Sequence, residues 1–367
     1  MISPSKSFAF AERRKILDFA MSAQHPRKDY KFTKNTNIMS AKILVDQQDI
    51  INTYSKGEQF SCKKYFEYKK LIKENPKYGY KKCAKLLGVP QGRTRWWHTK
   101  GKKKARPLAL KVVQKLKEAK LISFTEKHKD AKIIFNMLGV LFGDGGVDKR
   151  LNTVAFISAD IRDINFWKKD FIKIFPFAKE KIQIIEGGEY GHSYNIRCWD
   201  RAVIRFFVAL GTPVGDKVTI HYSLPKWIFD VSTKSRIAFL DGYLASEISI
   251  PVWRILPYKN FYFANFAFGV SKVLELEKEH ISFLRNLEKL LASVKIETTK
   301  NIHKNLSAGR IRKDGLQTAN YRIFIRTKFN QVLFFNKQFA LRYAKAKKER
   351  LEKEVKIARE HKELNSN

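Results

Sequence analysis

Two stretches of this chain read as apolar helices, the first of them apolar on every side. The first, "KIIFNMLGVLF", stops at Gly143-Asp144-Gly145; the second, "SRIAFLDGYLASE", stops at Glu247. A helix that is apolar all round is made to be buried. After the first, the pattern predicts a strand "TVAFISA", an amphipathic helix "INFWKKDFIKIF", strands "KIQIIEG" and "HSYNIRCW" joined by "GEYG", and a helix "RAVIRFFVALG". A Pro/Gly-marked crossing, "TPVGDKVTIHYSLP", leads to the second apolar helix. An aromatic strand region (252–270) follows, then a helix "KVLELEKEHISFLRNLEKLLASV", strands "KIETTKN" and "YRIFIRT", and a helix "FNQVLFFN". The succession of elements is an internal duplication. From about residue 340 a Lys/Glu-laced stretch predicts an exposed helix.

Upstream, residues 46–125 predict short helices: "DQQDIINTYSK", "CKKYFEYKKLIKEN", "GYKKCAKLLG", "GRTRWWHT" and "PLALKVVQKLKEAKLI". The basic "KGKKKARP" separates the last two as a linker or phosphate-contacting loop. Residues 1–45 form a basic extension with no assigned role. The chain divides accordingly into 1–45, 46–125, 130–228, 234–347 and a charged terminal helix, 348–367.

The apolar helices share a finer pattern. Gly139 and Gly143 lie four apart before Asp144; Ala238, Gly242 and Ser246 lie four apart before Glu247. That spacing puts each small set on one face. Small stripes let two backbones approach closely. If the stripes meet, Asp144 and Glu247 emerge side by side. Paired carboxylates repel unless protonated or bridged by a cation. Mg²⁺, with Mn²⁺ as substitute, binds through one or two carboxylates plus phosphate oxygens and water, and such a site activates water against a phosphodiester. For either helix alone, burial that happens to end near an acid is the simpler account; the matching pair argues against it.

Charge points to the partner. Lys plus Arg is 73 against 35 Asp plus Glu, a net of +38 in 367 residues. The excess runs from end to end and calls for a polyanion, nucleic acid before membrane. No uninterrupted apolar span approaches ~20 residues. Cys62, Cys83 and Cys198 fit no zinc spacing and read as reduced thiols. Without a signal-peptide core the protein is expected to be intracellular, cytoplasmic in a prokaryotic or archaeal cell. The chain starts with neither Cys nor Ser, and its last residue, Asn367, follows "KELNS" without the histidine-asparagine pair and apolar strand of a splicing domain, so a free-standing chain is expected.

"MLGVLFGDG" and "FLDGYLASE" resemble the two motifs of single-chain LAGLIDADG homing endonucleases, over roughly residues 130–347. The resemblance implies an α+β fold, a pseudo-twofold pair of αββαββα subdomains whose antiparallel sheets form a DNA-binding saddle, here preceded by a small all-α domain. It implies a monomer that cuts double-stranded DNA with Mg²⁺, Asp144 and Glu247 holding metal. The second motif departs: Ile248 stands where glycine usually follows the acid, and Asp241 where a small residue is usual. "LGTPVGDKVTIHYSLPKWI" looks like the segment linking halves in archaeal and intein-type members, which makes Lys217 a match for a lysine near the active site. "FALRYAKAKKERLE" resembles the closing helix and points to Lys347, with Lys345 and Lys348 as neighbouring registers. Other readings are a non-catalytic DNA-binding regulator with a degenerate fold, and an intron-RNA maturase.

Two further patterns concern DNA. Ser193, Asn195 and Arg197 alternate with Tyr194, Ile196 and Cys198; Arg322 and Arg326 alternate with Tyr321, Ile323 and Ile325. Period two places the polar set on one sheet face, and Arg and Asn suit major-groove base edges. "YKKCAKLLGVPQGRTRWW" resembles a helix-turn-helix. Ala84 sits at the crossing, Gly88 at the left-handed turn and Val89 beneath it; Gln91, Arg93 and Arg95 lie on the second helix, anchored by Trp96 or Trp97, with Lys81, Lys82, Lys85 and Lys102 to Lys104 as basic flanks.

Overall fold

The computed structural model describes residues 42–99, 105–187, 192–255 and 261–364. The N-terminal extension as far as residue 41, Lys102 to Lys104 and the "GEYG" joint therefore lie outside the described residues.

A short strand β1 (Ile43–Val45) precedes five helices: α1 (Gln47–Asn52), α2 (Lys56–Glu74), α3 (Tyr80–Leu87), α4 (Gln91–His98) and α5 (Leu108–Glu118). α1 opens on a reciprocal cap, since Asp46 and Asp49 each accept the other's backbone N–H at 2.8 Å. Beyond them β2 (Phe124–Thr125) returns antiparallel to β1. The pairing corrects the all-helical reading of 46–125. Its two strands are too short and too far apart for a periodicity to show.

The first apolar run forms α6 (Ala131–Phe142), followed by β3 (Gly146–Val147), β4 (Val154–Ser158), α7 (Ile161–Ile174), β5 (Ile182–Glu186), β6 (Tyr194–Cys198) and α8 (Arg201–Ala209). The second forms α9 (Thr233–Glu247), followed by β7 (Ile248–Ser249), the hairpin β8 (Val252–Ile255) and β9 (Phe261–Ala264), then β10 (Ala267–Val273), α10 (Glu277–Ala292), β11 (Thr298–Asn305), β12 (Thr318–Ile325), α11 (Phe329–Gln338) and α12 (Lys345–Leu364). Sheet orders are β3-β4-β6-β5 and β7-β10-β12-β11, antiparallel throughout. Counted within each sheet, both run first, second, fourth, third strand. The molecule is mixed α and β with antiparallel sheets.

Two expected boundaries move. The helix read from Lys272 starts at Glu277, because Lys272 and Val273 complete β10, paired with Ala319 and Thr318. The terminal helix is less exposed than its charge suggests: Leu351, Val355 and Ala358 make a buried stripe, and Glu354 accepts the N–H of Trp253 at 2.7 Å.

All described residues fall in one compact unit, 41–367. The helical segment is tied to the first sheet's α8. Arg205 stacks on the Tyr54 ring and donates to the Thr53 carbonyl; buried Asp200, which caps α8, accepts Lys115 at 2.7 Å and Lys181 at 3.0 Å. Cys62, Cys83 and Cys198 are buried and free. No helix among the described residues is long and apolar enough to cross a membrane.

Candidate active site at the helix ends

α6 and α9 cross through their glycines. A Cβ on Gly139 would lie 2.0 Å from the Phe239 carbonyl oxygen, and one on Gly242 would lie 1.9 Å from that of Asn136. Only hydrogen fits at these points, so backbone meets backbone. Ala238, 2% exposed, completes the stripe on α9. At the ends, a Cβ on Gly143 would meet Ser246 Cβ at 2.5 Å and Glu247 Oε1 at 3.4 Å. The ends of the two helices, and the acids with them, are therefore adjacent.

The acids leave their helices differently. α6 ends at Phe142, Gly143 caps it, and Asp144 sits in the turn before β3. α9 runs through Glu247, and Ile248 passes directly into extended backbone as the first residue of β7. Ile248 is buried and pairs with Phe268, so the chain needs no glycine there. Asp144 is exposed to solvent, but the protein gathered around it removes enough water to push its carboxyl up, against the pull of Lys347 and Lys217. Glu247 is pushed up to about 8, first by loss of water and then by the charge of Asp144; Lys217 and Lys347 oppose.

Each helix end also receives a lysine. Lys217 donates to the carbonyls of Leu141 (3.3 Å), Gly143 and Gly145 (2.5 Å). Lys347 donates to those of Ala245 (2.9 Å) and Ser246 (2.6 Å). Terminal carbonyls have no partner inside the helix and carry its negative pole, so an ammonium is favoured there. Both lysines are shifted downward by loss of water, and the two acids counter it. The neighbouring registers lead elsewhere: Lys348 bonds Asn336 and Phe339, while Lys345 is exposed.

Two cavities open on these groups. One of about 810 Å³ is lined by Glu247, Lys347, Asn320, Arg322 and Arg350. Another of about 230 Å³ is lined by Asp144, Asp163, Ser246 and Lys347. Lys347 lines both. A divalent cation fits this donor set in part: two carboxylates whose surroundings hold them above their ordinary range gain by sharing one, and both are hard oxygen ligands. Among the described residues no cluster of three or more His, Cys, Asp or Glu side chains occurs. Further ligands would have to come from water, backbone or a phosphate.

Of the strand residues, Arg197, Arg322 and Arg326 are exposed, and Tyr321, Ile323 and Ile325 are buried behind the last two. Arg326 lies just past β12, and Arg322 shares the larger cavity with Glu247. Asn195 is half-buried. In the helical segment, Gly88 takes the left-handed conformation at φ +62° between α3 and α4. Gln91, Arg93 and Arg95 are exposed, and Thr94 and Trp97 form the inner face. The anchor is thus Trp97; Trp96 is 59% exposed.

Sequence patterns missed the groups that hold the lysines in place. Asp241, buried in α9, accepts Asn136 Nδ2 of α6 at 2.6 Å and the N–H groups of Leu341 and Arg342 at 2.7 and 3.2 Å. Asp170 takes both arms of Arg342 and the hydroxyl of Tyr343. Lys272, 1% exposed, was hidden by the helical reading of its segment; a lone lysine in the strand "AFGVSKV" was its only signal.

No family model matches the chain. Curated relatives include the DNA-directed RNA polymerase subunit Rpo1N of Methanocaldococcus jannaschii, 27% identical over 240 residues, which are 62% of this chain and 17% of that protein. They also include the tRNA-splicing ligase RtcB of Pyrococcus abyssi, 30% identical over 199 residues, 51% of this chain and 21% of that protein. The chain thus spans about a fifth of the length of these relatives. Similar solved structures include mesophilic variants of the homing endonuclease I-DmoI (18% identity, 56% of this chain and 93% of that one, TM-score 0.34). I-DmoI in complex with DNA and Mn is another (16% identity, 53% and 90%, TM-score 0.33). So is the N-terminal LAGLIDADG domain of WhiA (12% identity, 59% and 82%, TM-score 0.31).

Proposed function

We propose that the chain is a sequence-specific, divalent-metal-dependent DNA endonuclease of the LAGLIDADG homing type, a monomer of two halves related by a pseudo-twofold axis through the α6–α9 crossing. The observation that carries this reading is the adjacency of Asp144 and Glu247 at paired helix ends, each end gripped by a lysine. The common strand order of the two sheets supports the symmetry. The relatives support a portable module. Stretches covering 62% and 51% of one chain must overlap, so one segment recurs inside a polymerase subunit and an RNA ligase, whose own chemistries differ.

Asp144 and Glu247 would hold the cation, Mg²⁺ or Mn²⁺. When bound, it supplies Lewis acidity toward a phosphodiester and lowers the pKa of water. The chain's own groups do the rest. Lys217 has its three N–H donors directed at three carbonyls, so it acts as a fixed positive charge beside the acids rather than as a phosphate ligand. Lys347 lines both cavities and sets its charge between the acids. Arg322, Arg326, Arg197 and Asn195 read or grip the duplex, and the overall +38 draws it in. Residues 80–98 act as a second contact: the left-handed Gly88 sets α3 against α4, and Lys81, Lys82, Lys85 and Gln91 line a concavity of about 630 Å³. Arg93 and Arg95 project from α4 toward DNA.

The test is cleavage of a randomised plasmid library in Mg²⁺ by the wild type, Asp144→Asn and Glu247→Gln. The wild type should linearise a narrow set of targets. Each variant should bind the selected target with similar affinity and cut it at least about 100-fold more slowly. Tight sequence-specific binding with no cutting in any divalent metal would replace this reading with a DNA-binding regulator. Preference for a structured RNA would replace it with an intron-RNA maturase.

A further inference from the structure

Each of the two lysines grips the acid helix of one half, while the segment that carries it is also tied to the other half. Lys217 lies on the crossing between α8 and α9 and bonds the end of α6. Its carbonyl accepts the buried ammonium of Lys272, on β10 of the second sheet, at 2.6 Å; the Ile220 carbonyl accepts the same ammonium. The Val273 N–H donates to the Val218 carbonyl at 3.2 Å, and Arg312 reaches Asp216 at 2.8 Å. The second half thus holds residues 216–220 at four points.

The converse holds for Lys347, which bonds the end of α9. The start of its helix is fixed by α7 of the first half. Asp163 accepts the Lys345 N–H at 2.9 Å and the Ser158 hydroxyl at 2.9 Å. Two turns on along α7, Asp170 takes Arg342 at 2.7 and 2.9 Å and Tyr343 at 2.8 Å.

Stability alone does not account for Lys272. A buried ammonium is costly unless its hydrogen bonds are well met, and an apolar residue of like volume serves a core strand as well or better. Burial draws Lys272 down to about 8. What an apolar side chain cannot do is bind two carbonyls of a crossing loop while resting 4.5 Å from the Tyr222 ring.

We propose that Lys272 and Asp163 are positioning residues, each acting through the lysine it fixes, and that each thereby governs one of the two strand cuts. The proposal rests on the endonuclease reading. It treats each half of the chemistry as assembled from both halves of the chain, so that the braces fail separately.

The experiment uses the full chain and a target duplex labelled differently on its two strands, under single turnover in Mg²⁺. Lys272→Met should slow one strand by about tenfold or more relative to the other and accumulate nicked product. Asp163→Val should slow the opposite strand, and Asp163→Asn, which keeps an acceptor for the Lys345 N–H, should restore it. DNA affinity should be unchanged in all three. Amide exchange supplies the second readout: Lys272→Met should speed exchange in 216–220 and spare 341–347, and Asp163→Val the reverse. If Lys272→Met does not fold, Arg312→Ala loosens the same crossing from nearer the surface and should select the same strand. Equal slowing of both strands, or exchange raised uniformly, overturns the proposal. If the wild type cuts neither strand, the endonuclease reading fails, and the exchange patterns alone decide whether the braces are separate.

Discussion

The two acid-bearing ends solve one problem with different parts. At the first, α6 stops two residues short of its acid, glycines flank Asp144, and Lys217 binds three carbonyls. At the second, Glu247 is the last helical residue, an isoleucine follows it into a strand, and Lys347 binds two carbonyls. The braces differ in sign as well: a buried ammonium on carbonyls for the first, carboxylates on N–H groups for the second. In both regions the acid falls at the end of the buried helix that precedes the sheet's first strand. That placement leaves open how the backbone delivers the acid, and the departures at Ile248 and Asp241 are absorbed by that freedom.

The seam itself should be the symmetric part. Gly139→Ala and Gly242→Ala each drive a methyl into a facing carbonyl at about the same distance, 2.0 and 1.9 Å. Both should destabilise by about 3 kcal/mol or more, since overpacking against backbone has no cheap relaxation. Urea midpoints check this, and a large difference between the two would break the symmetry. Asp241→Leu should cost less, about 2 kcal/mol, by leaving Asn136 and two N–H groups without their acceptor. Its effect should be one-sided. The matching position of α6 is Leu138, fully buried and apolar, so only the segment leading to Lys347 should gain amide exchange. Loosening at both ends would show that its bond to Asn136 across the seam counts for as much as its hold on Leu341 and Arg342.

What could be read from sequence follows the same division. Small residues four apart, ended by an acid, point to a close helix crossing because the pattern occurs in two helices at matching positions, and Gly139 and Gly242 do meet backbone. Alternation exposed Arg197 and Arg322 for the same reason: a strand has only two faces. The braces were illegible because their partners are remote in sequence. Lys272 and Lys217, or Asp170 and Arg342, come together only through the fold, and one charged residue inside an amphipathic pattern does not announce its partner. Lys347 was narrowed to three registers by resemblance, and only the packing of α12 separates it from Lys345 and Lys348. Cap residues were read too simply, since Ile248 adopts an extended conformation open to any residue.

The smallest effect concerns the charge the two ends share. Glu247 is pushed up to about 8 from an ordinary carboxylate value of 4.5, and loss of water is the main cause. The sign follows from linkage. Between those values the folded state holds a proton that the unfolded state has released, so folding is favoured at low pH, and this contribution falls as pH rises through the folded value. Glu247→Gln cannot release the proton and loses that slope. In EDTA, thermal melts of wild type and variant should therefore coincide near pH 4 and separate toward pH 9, with the variant melting a few degrees higher. Asp144→Asn should show the same sign with a smaller separation, because Asp144 is the more exposed of the two acids. Adding Mg²⁺ at pH 8 should raise the wild-type melting temperature and narrow the gap, since a cation between the carboxylates replaces the missing proton. Equal curves for wild type and Glu247→Gln at every pH would mean that the second acid stands free in water, and the closeness of the two ends would then have no electrostatic consequence.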